Sequence, residues 1–264
     1  MRAKRSLGQN FLVDGNYVSK IVNAVHPETD EVVIEIGPGR GALTRELLDR
    51  GANVLAIELD RELVPQLRDD HSGTGRFIVV EADASEADIR ELLDQFYPET
   101  PKAKLVANLP YYISTAILQH LANERHCLSE LVLMFQREVV ERITARPGSS
   151  ERGYLTVLVE AAFAVERLFD VPPEAFRPRP KIWSSVVRLI PKPPSPADDP
   201  AFRRLVSSGF SQKRKTLANN LKAGYPEPNI ALAHAGIDPK RRAETLELSE
   251  WLRLYALLAE RTKP

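Results

Sequence analysis

Glycine and polar residues directly follow several short apolar runs, and their types indicate ligand chemistry. Gly37 and Gly39 stand in the segment Gly37–Gly41, immediately after the apolar run Val32–Ile36. Glycine lets a backbone approach a ligand closely, and a helix that opens after such a turn presents free N–H groups. Glu58 follows about 20 residues later, so the spacing also fits the dinucleotide-binding fingerprint. A tight turn without any ligand remains the structural alternative.

Two carboxylates stand at the ends of the next two apolar runs. Glu58 follows Val54–Ile57, where a carboxylate can accept both hydroxyls of a ribose, a group that NAD and S-adenosylmethionine share. Asp83 follows Phe77–Val80 and can accept from the exocyclic amine of a bound adenine. Each residue also has a structural interpretation, Glu58 as a solvated strand end and Asp83 as a helix cap.

The segment Asn108–Tyr111 favours one of the two cofactors. The exocyclic amine of adenine is a weak nucleophile because its lone pair is delocalised into the ring. The Asn108 amide oxygen and a backbone carbonyl beside Pro110 can accept both N–H bonds of this amine. Tyr111 offers a flat face on which the base can stack. These residues predict methyl transfer to an adenine amine, in which positioning is the main catalytic contribution; a plain turn is the alternative.

The elements that must position these residues follow from the hydrophobic pattern. Apolar runs alternate with amphipathic stretches, which predicts an α/β fold with a parallel sheet and helices on both faces. The predicted strands are Val32–Ile36, Val54–Ile57, Phe77–Val80, Lys104–Ala107 and Leu131–Phe135, with a further one at Trp183–Ile190. Ligands bind such sheets at the carboxyl ends of the strands, which is where the residues above stand.

Proline usage divides the chain. Val171–Pro180 is too rich in proline for a helix or a central strand, and Pro191–Pro196 is typical of a stiff linker. Leucines at helical spacing follow it. We therefore predict an α/β domain over residues 1–194 and a small all-helical domain over residues 195–264.

Composition excludes several classes of protein. The 264 residues are 43% hydrophobic and 27% charged, which is typical of globular proteins and excludes general disorder. The single cysteine, Cys127, excludes a disulfide framework. No apolar run reaches the roughly 18 residues of a membrane span, and no secretory signal is indicated, so we expect a cytoplasmic protein. None of the five histidines shows metal-ligand spacing, and no metal is expected.

Over nearly its whole length the chain resembles the ribosomal RNA adenine N6,N6-dimethyltransferase family of the KsgA type. The motifs that carry the resemblance are Lys4–Leu12, Glu35–Thr44, Glu58, Asp83, Asn108–Tyr111, Met134–Val139 and Phe176–Lys181. The resemblance implies a Rossmann-like S-adenosylmethionine-dependent methyltransferase domain. It also implies a substrate in small-subunit ribosomal RNA or a pre-ribosomal particle.

The resemblance carries roles over to particular residues. The residues that it implies for cofactor binding, together with Gly39 of the glycine turn, are Asn10, Leu12, Gly37, Glu58, Asp83 and Asn108. Catalysis is assigned to Asn108, Pro110, Tyr111 and Phe176, and the resemblance implies that Phe176 and Tyr111 sandwich a flipped adenine. Without the family, an aromatic such as Phe176 between prolines is more often a loop anchor packed on the core.

Phosphate contacts must supply most of the RNA affinity. Residues 192–264 hold 13 basic and 8 acidic residues although the whole chain has zero net charge, which favours a local basic patch. We predict Gln212–Lys222 to be a basic helix that clamps RNA, a solvated helix face being the alternative. The predicted RNA-binding residues are Arg5, Arg177, Arg179, Lys181, Lys213, Arg214, Lys215 and Lys222.

Three other functions compete with this prediction. The same chemistry on large-subunit RNA is the nearest, and a non-catalytic RNA-binding assembly factor is the second. The third, a nicotinamide dehydrogenase, needs a catalytic acid or base that Asn108–Tyr111 does not supply. We also expect a monomer that does not bind membranes.

Overall fold

The computed structural model describes residues 9–110 and 113–261. The strands are β1 Phe11–Leu12, β2 Val32–Ile36, β3 Asn53–Glu58, β4 Phe77–Glu81, β5 Ala103–Asn108, β6 Leu128–Gln136, β7 Phe163–Val171, β8 Phe176–Arg177 and β9 Ser184–Pro191. The helices are α1 Gly15–Val25, α2 Ala42–Asp49, α3 Leu63–His71, α4 Ile89–Phe96, α5 Ser114–Glu124, α6 Arg137–Ile143, α7 Tyr154–Ala162, α8 Pro200–Gly209, α9 Leu217–Leu221, α10 Pro228–His234 and α11 Leu248–Arg261. The chain divides into two compact units, one of Met1–Val140 with Ala164–Pro191, the other of Glu141–Phe163 with Lys192–Pro264.

A seven-stranded sheet in the order β4-β3-β2-β5-β6-β9-β7 forms the first unit's centre. The five strands from β2 to β6 are parallel, and β9 runs antiparallel to β6. The chain moves outward from β2 to β3 and β4 on one side, then to β5 and β6 on the other. The strand order therefore reverses between β2 and β5, and a ligand crevice is expected at the carboxyl ends of these strands.

The apolar runs form strands because both faces of the sheet are covered. All five residues of β2 are buried, the continuous pattern of a parallel strand between two layers. One core cluster joins Val22 of α1 and Leu47 of α2 to Val33 and Val106 of β2 and β5. The predicted α/β class, with a Rossmann-like domain and helices after it, is confirmed, as are all five predicted parallel strands and the strand after Trp183.

The short strands β1 and β8 and the longer β7 were not predicted, and β7 shows why. It stands at the edge of the sheet, and most of its residues are only partly buried or exposed. Arg167 and Asp170 form an ion pair on it, 2.6 Å apart. Charged side chains are common on edge strands, where they discourage pairing with other chains, and they hide the alternation that marks a half-buried strand.

The second unit is built from helices around Trp251, which is fully buried. Phe202 of α8, Leu217 of α9 and Leu232 of α10 share its core. Val157 of α7 also belongs to that core, so residues 141–163 pack with the C-terminal helices, whereas the sequence division at 194 placed them in the first domain. All but two residues of α7 are buried, and a helix that is apolar on most sides gives no sign of which core it joins.

Arg152 anchors the loop before α7 within the second unit. Its buried guanidinium pairs with Glu160 at 2.7 Å and donates to the carbonyls of Leu246 and Ala145, both at 3.1 Å. A buried charge needs such a set of partners. No helix among the described residues is both long and apolar enough to cross a membrane.

The interpretation of residues 212–222 as one basic helix is wrong. Residues 211–216 form a turn, and α9 begins only at Leu217 because the Thr216 side chain caps it by accepting from Asn219 N–H. The buried Asn220 side chain stabilises this turn, because its amide donates to the carbonyls of Gly209 and Gln212. The cations 213–215 are therefore exposed on a braced turn instead of a helix face.

Candidate active site and cofactor pocket

A pocket opens at the carboxyl ends of β2, β3, β4 and β5, where the strand order reverses. The ends of β2, β3 and β5 and the segments that follow all four strands line it. The predicted cofactor residues that line it are Asn10, Leu12, Gly37, Gly39, Glu58, Asp83 and Asn108. Seven residues that are far apart in the sequence are thus brought to one cavity.

The glycine turn after β2 lines this pocket. Gly37 and Gly39 have φ angles of 65° and 60°, values that residues with a side chain rarely adopt. The Gly37 N–H donates to the Ile57 carbonyl at 2.9 Å, which ties the turn to β3. A Cβ on Gly39 would lie 3.0 Å from the Phe11 ring, and Arg40 covers that ring with its guanidinium 4.7 Å from the centroid.

Replacing Gly39 by alanine is expected to weaken S-adenosylmethionine binding at least tenfold, because the new methyl strains the turn and pushes Phe11 from the pocket. Titration calorimetry measures this change. Gly73→Ala is the matched control, since a Cβ there meets nothing within 4 Å. Equal affinity of Gly39→Ala and the unmodified chain would contradict the placement of the ligand against this turn.

Glu58 is held in a fixed position at the end of β3. Its Oε2 accepts from Gly39 N–H at 3.1 Å and its Oε1 from Asp60 N–H at 2.8 Å. The side chain is 6% exposed, and burial raises the pKa of this carboxyl while the two backbone N–H groups lower it. Each oxygen keeps a further lone pair, so the carboxylate can accept two ligand hydroxyls without moving.

Asp83 lines the pocket after β4, the strand next to β3. Its Oδ1 accepts from the backbone N–H and the hydroxyl of Ser85, at 2.9 and 2.7 Å. The cap of α4 is Asp88, so Asp83 does not fill the helix-capping role that the sequence left open for it. Among the described residues Oδ2 has no hydrogen-bond partner, which leaves it for an amine donor.

Asn108 ends β5 beside the N-terminal segment. Its Nδ2 donates to the carbonyl of Asn10 at 3.3 Å. Because a carbonyl can only accept, this contact fixes the amide orientation and leaves Oδ1 as an acceptor toward other donors. Asn10 is held there by β1, which pairs antiparallel with β8 through Leu12 and Phe176.

The turn after Asn108 offers a second acceptor. Leu109 N–H donates to the Met134 carbonyl at 3.3 Å, and the Pro110 carbonyl accepts from Ile113 N–H at the same distance. Among the described residues the Leu109 carbonyl has no such donor, so it is the carbonyl beside Pro110 that stays available. Tyr111 lies outside the described residues, and its stacking role stays a prediction.

Phe176 is buried in the core and does not line the pocket. It is 1% exposed and packs in one cluster with Leu12 and Val18. This placement fits the loop-anchor interpretation that the sequence alone favours. Its contact with a flipped base stays a prediction, and such a contact requires the covering side chains to move.

Two pocket residues were missed by sequence reasoning. Leu59 follows Glu58 and is 46% exposed at the pocket, which gives a base an apolar surface. Glu35 of β2 is 1% exposed and accepts from the Thr44 hydroxyl at 2.6 Å. Burial, more than the nearby charge of Glu58, raises the pKa of Glu35 to about 7. A glutamate inside an otherwise apolar strand is the signal that could have singled it out.

Glu35 makes the stability of the protein depend on pH. Since its pKa is higher in the folded state, its contribution to stability is complete below about pH 4.5 and is lost as the pH rises through about 7. The Glu35→Gln variant does not lose this contribution. Its free energy of unfolding should therefore exceed that of the unmodified chain by a difference that grows between pH 5 and pH 8, up to about 3 kcal/mol. Urea unfolding at a series of pH values measures this. The exposed Glu99→Gln is the control, and a pH-independent difference between Glu35→Gln and the unmodified chain would contradict the assignment.

One group of possible metal ligands occurs among the described residues, at Glu124, His126 and Cys127, whose ligand atoms lie within 4.8 Å of one another. His126 therefore stands beside two other ligand types, contrary to the expectation that no histidine shows metal-ligand spacing. The Cys127 thiol donates to the Glu124 carbonyl at 3.0 Å, and burial raises its pKa to about 11. Metal ligation requires a thiolate, so this thiol is poorly suited to it at neutral pH.

The predicted RNA-binding cations occur in both units. In the first, Arg177 is exposed at the end of β8, Arg179 and Lys181 are exposed between β8 and β9, and Arg179 pairs with Glu174. In the second, residues 213–215 and Lys222 are exposed at the turn before α9 and at its end. Arg5 lies outside the described residues.

Comparisons with known proteins agree with this geometry. The strand order, the glycine turn and the carboxylates at the next strand ends define a Rossmann-like methyltransferase. The family model described as ribosomal RNA adenine dimethylase matches residues 1–260. The chain belongs to the ribosomal RNA adenine dimethylase family.

Individual relatives are similar over nearly the whole chain. The ribosomal RNA small subunit methyltransferase A proteins of Chromohalobacter salexigens and Thiobacillus denitrificans are each 43% identical over 98% of this chain, covering 92% and 98% of their own lengths. A dimethyladenosine transferase from Plasmodium falciparum has a TM-score of 0.81 and 27% identity, covering 95% of this chain and 98% of its own. The 23S rRNA methyltransferase ErmE has a TM-score of 0.70 and 29% identity, covering 95% and 100%.

Proposed function

We propose that this protein transfers two methyl groups, one after the other, from S-adenosylmethionine to the N6 amine of an adenine in small-subunit ribosomal RNA. The observation that carries the proposal is the fixed Asn108 amide. Its nitrogen is held by the Asn10 carbonyl, so its oxygen is the acceptor that remains at the mouth of the pocket. Relatives of this chain that are 43% identical carry the name small subunit methyltransferase.

The pocket residues fit S-adenosylmethionine. Glu58 would accept the ribose hydroxyls, Asp83 the adenine amine of the cofactor, and Leu59 would contact its base. Because Gly39 has no Cβ, the cofactor can approach the backbone of the glycine turn closely. A Cβ at this position would lie 3.0 Å from the Phe11 ring. When bound, the cofactor supplies a sulfonium methyl group that is already strongly electrophilic.

Asn108 and the Leu109 carbonyl act on the amine of the target base. If each accepts one N–H bond, the nitrogen lone pair is drawn out of conjugation with the ring and becomes available for attack. No strong base is needed before this step, and fixing the reacting groups is the main contribution to the rate. As the new N–C bond forms, the bond from the methyl carbon to sulfur breaks and the nitrogen becomes cationic. Loss of one proton to solvent leaves a neutral amine with one N–H bond, which one of the two acceptors can still orient for the second transfer.

RNA would be held by exposed cations in both units. Contacts between cations and phosphates make RNA affinity fall as salt rises. For single strands, the logarithm of the association constant falls by about 0.7 per contact for each tenfold increase in salt concentration. The turn at 213–215 presents three such cations on a backbone that Asn220 braces. A loop adenine is cheaper to insert into the pocket than a paired one, because pairing and stacking are already open.

Replacing Lys213, Arg214 and Lys215 together by alanine should weaken RNA binding and lower the slope of log Kd against log salt by about 2, since three phosphate contacts are lost. Filter binding at several salt concentrations gives this slope. Lys102→Ala removes an exposed cation just before β5, at the other end of the sheet, and should leave the slope unchanged. An unaltered slope in the triple variant would remove this turn from the RNA interface.

The substrate assignment is tested by competition between ribosomal subunits. Unmethylated small and large subunits are incubated with the protein and tritiated S-adenosylmethionine, and their RNAs are separated and counted. Tritium in small-subunit RNA alone is expected. Label in large-subunit RNA would reassign the substrate to that of the ErmE-like enzymes, and RNA binding without label would indicate a non-catalytic factor.

A further inference from the structure

Trp183 is an exposed aromatic that the proposed chemistry does not use. It is 47% exposed, and its neighbour Ile182 is 39% exposed. The chain's other tryptophan, Trp251, is fully buried. A half-exposed indole beside a second exposed apolar side chain is an uncommon feature of a surface that no other part of the described protein covers.

The backbone holds Trp183 firmly in place. Its carbonyl accepts from Arg137 N–H at 3.0 Å, and the next residue, Ser184, is 1% exposed in β9. The indole therefore extends from an ordered strand end.

The sheet places Trp183 at the same edge as the target-amine site. Ser184 pairs with Gln136, two residues beyond Met134, which pairs with Asn108. Trp183 thus lies past the carboxyl end of β6, two strands away from β5. Neighbouring strands are about 4.8 Å apart and successive residues about 3.3 Å, so two strands across and about three residues along put roughly 14 Å between the two positions, a distance that a short single-stranded segment spans.

The charge around Trp183 suits RNA. Arg177 is exposed at the end of β8, and Arg179 and Lys181 are exposed in the loop that follows it. The only carboxylate between 172 and 183 is Glu174, which pairs with Arg179. Glu138 is exposed on the adjoining α6 and partly offsets them. An aromatic among cations is the combination that binds single-stranded nucleic acid, by base stacking and phosphate contacts.

We propose that Trp183 stacks on an unpaired base next to the adenine that enters the pocket, and so acts as a positioning residue for the RNA. This inference rests on the proposed function. A neighbouring base fixed on the indole would hold the strand while the target adenine leaves its stack. The expected consequence is a contribution to RNA affinity and none to cofactor binding.

Steady-state methylation of unmethylated small subunits tests this role. Trp183→Ala should raise KM for the particle by roughly 5- to 150-fold, with kcat and the Kd of S-adenosylmethionine unchanged. Trp183→Phe keeps an aromatic face and should restore most of the affinity. Ile190→Ala is the matched control, because Ile190 is 40% exposed at the other end of β9 and should have no effect.

A fluorescence titration separates stacking on RNA from contact with a ribosomal protein. An adenine-containing single-stranded RNA should quench the indole emission of the unmodified chain and not that of Trp183→Phe, in which only the buried Trp251 remains. A KM for Trp183→Ala within twofold of normal, or an effect on the particle without quenching by RNA, would overturn the proposal. Failure of the unmodified chain to methylate either subunit would instead overturn the proposed function.

Discussion

Replacing Asn108 by alanine is expected to lower kcat for methyl transfer about a thousandfold, the usual consequence of losing a fixed group that acts on the reacting atoms. The substitution removes the amide oxygen that accepts from the target amine. It also releases the Asn10 carbonyl, which the amide nitrogen contacts at 3.3 Å. RNA affinity should stay within a few-fold of normal, because phosphate contacts elsewhere supply it.

Single-turnover methylation with saturating cofactor measures this loss. Asn53→Ala is a closely matched control, since the Asn53 amide also donates to a backbone carbonyl, that of Asp30 at 2.8 Å, but at the start of β3 instead of a carboxyl end. Asn53→Ala is expected to show normal turnover. Normal turnover in Asn108→Ala as well would contradict the role of Asn108 as an amine acceptor.

Replacing Glu58 by alanine is expected to weaken S-adenosylmethionine binding by about a hundredfold or more, because two hydrogen bonds to a charged group are lost at roughly 1.5 kcal/mol or more each. The change also leaves the N–H groups of Gly39 and Asp60 without their acceptor, which loosens the glycine turn. Glu58→Gln keeps one acceptor oxygen and should bind with intermediate affinity.

Titration calorimetry with S-adenosylmethionine and with NAD checks this prediction. Glu81→Ala is the control, because Glu81 pairs with Glu58 in register on the next strand yet is exposed and does not line the pocket. Unchanged affinity in Glu58→Ala would remove this residue from the cofactor site. Binding of NAD by the unmodified chain would overturn the cofactor proposal.

Much of the pocket could be predicted because its parts are local in sequence. Gly37, Glu58 and Asn108 each follow an apolar run directly and Asp83 follows one after two residues, and parallel strands bring their carboxyl ends to one edge. Hydrophobic runs with short connections therefore predicted the sheet, and the sheet predicted that these side chains meet. No knowledge of distant contacts was needed for that step.

The contacts that fix the pocket could not be predicted in the same way. The bond between Asn108 and Asn10 joins residues 98 positions apart, and it depends on the pairing of β1 with β8. Phe176 shows the same limit in part: a loop anchor packed on the core could be predicted, but its partners Leu12 and Val18 come from a distant part of the chain. Each of these placements follows from packing that no short stretch of sequence contains.

Local chemistry also misled in one place and stayed silent in another. The cations at 213–215 were assigned to a helix because Gln212–Lys222 was interpreted as one helical segment, whereas Thr216 caps the helix that begins at Leu217. The position of Glu35 inside an apolar strand could single it out, but the rise of its pKa depends on burial by both layers that cover the sheet, which no local pattern gives.

Mass spectrometry of nucleosides from small-subunit RNA, after incubation with the protein and methyl-deuterated S-adenosylmethionine, tests the central claim most directly. The account predicts N6,N6-dimethyladenosine that carries two deuterated methyl groups, and its absence when Asn108 is alanine. Label on a ring nitrogen, on a ribose or on another base would contradict the claim that the turn after β5 orients an adenine amine for methyl transfer.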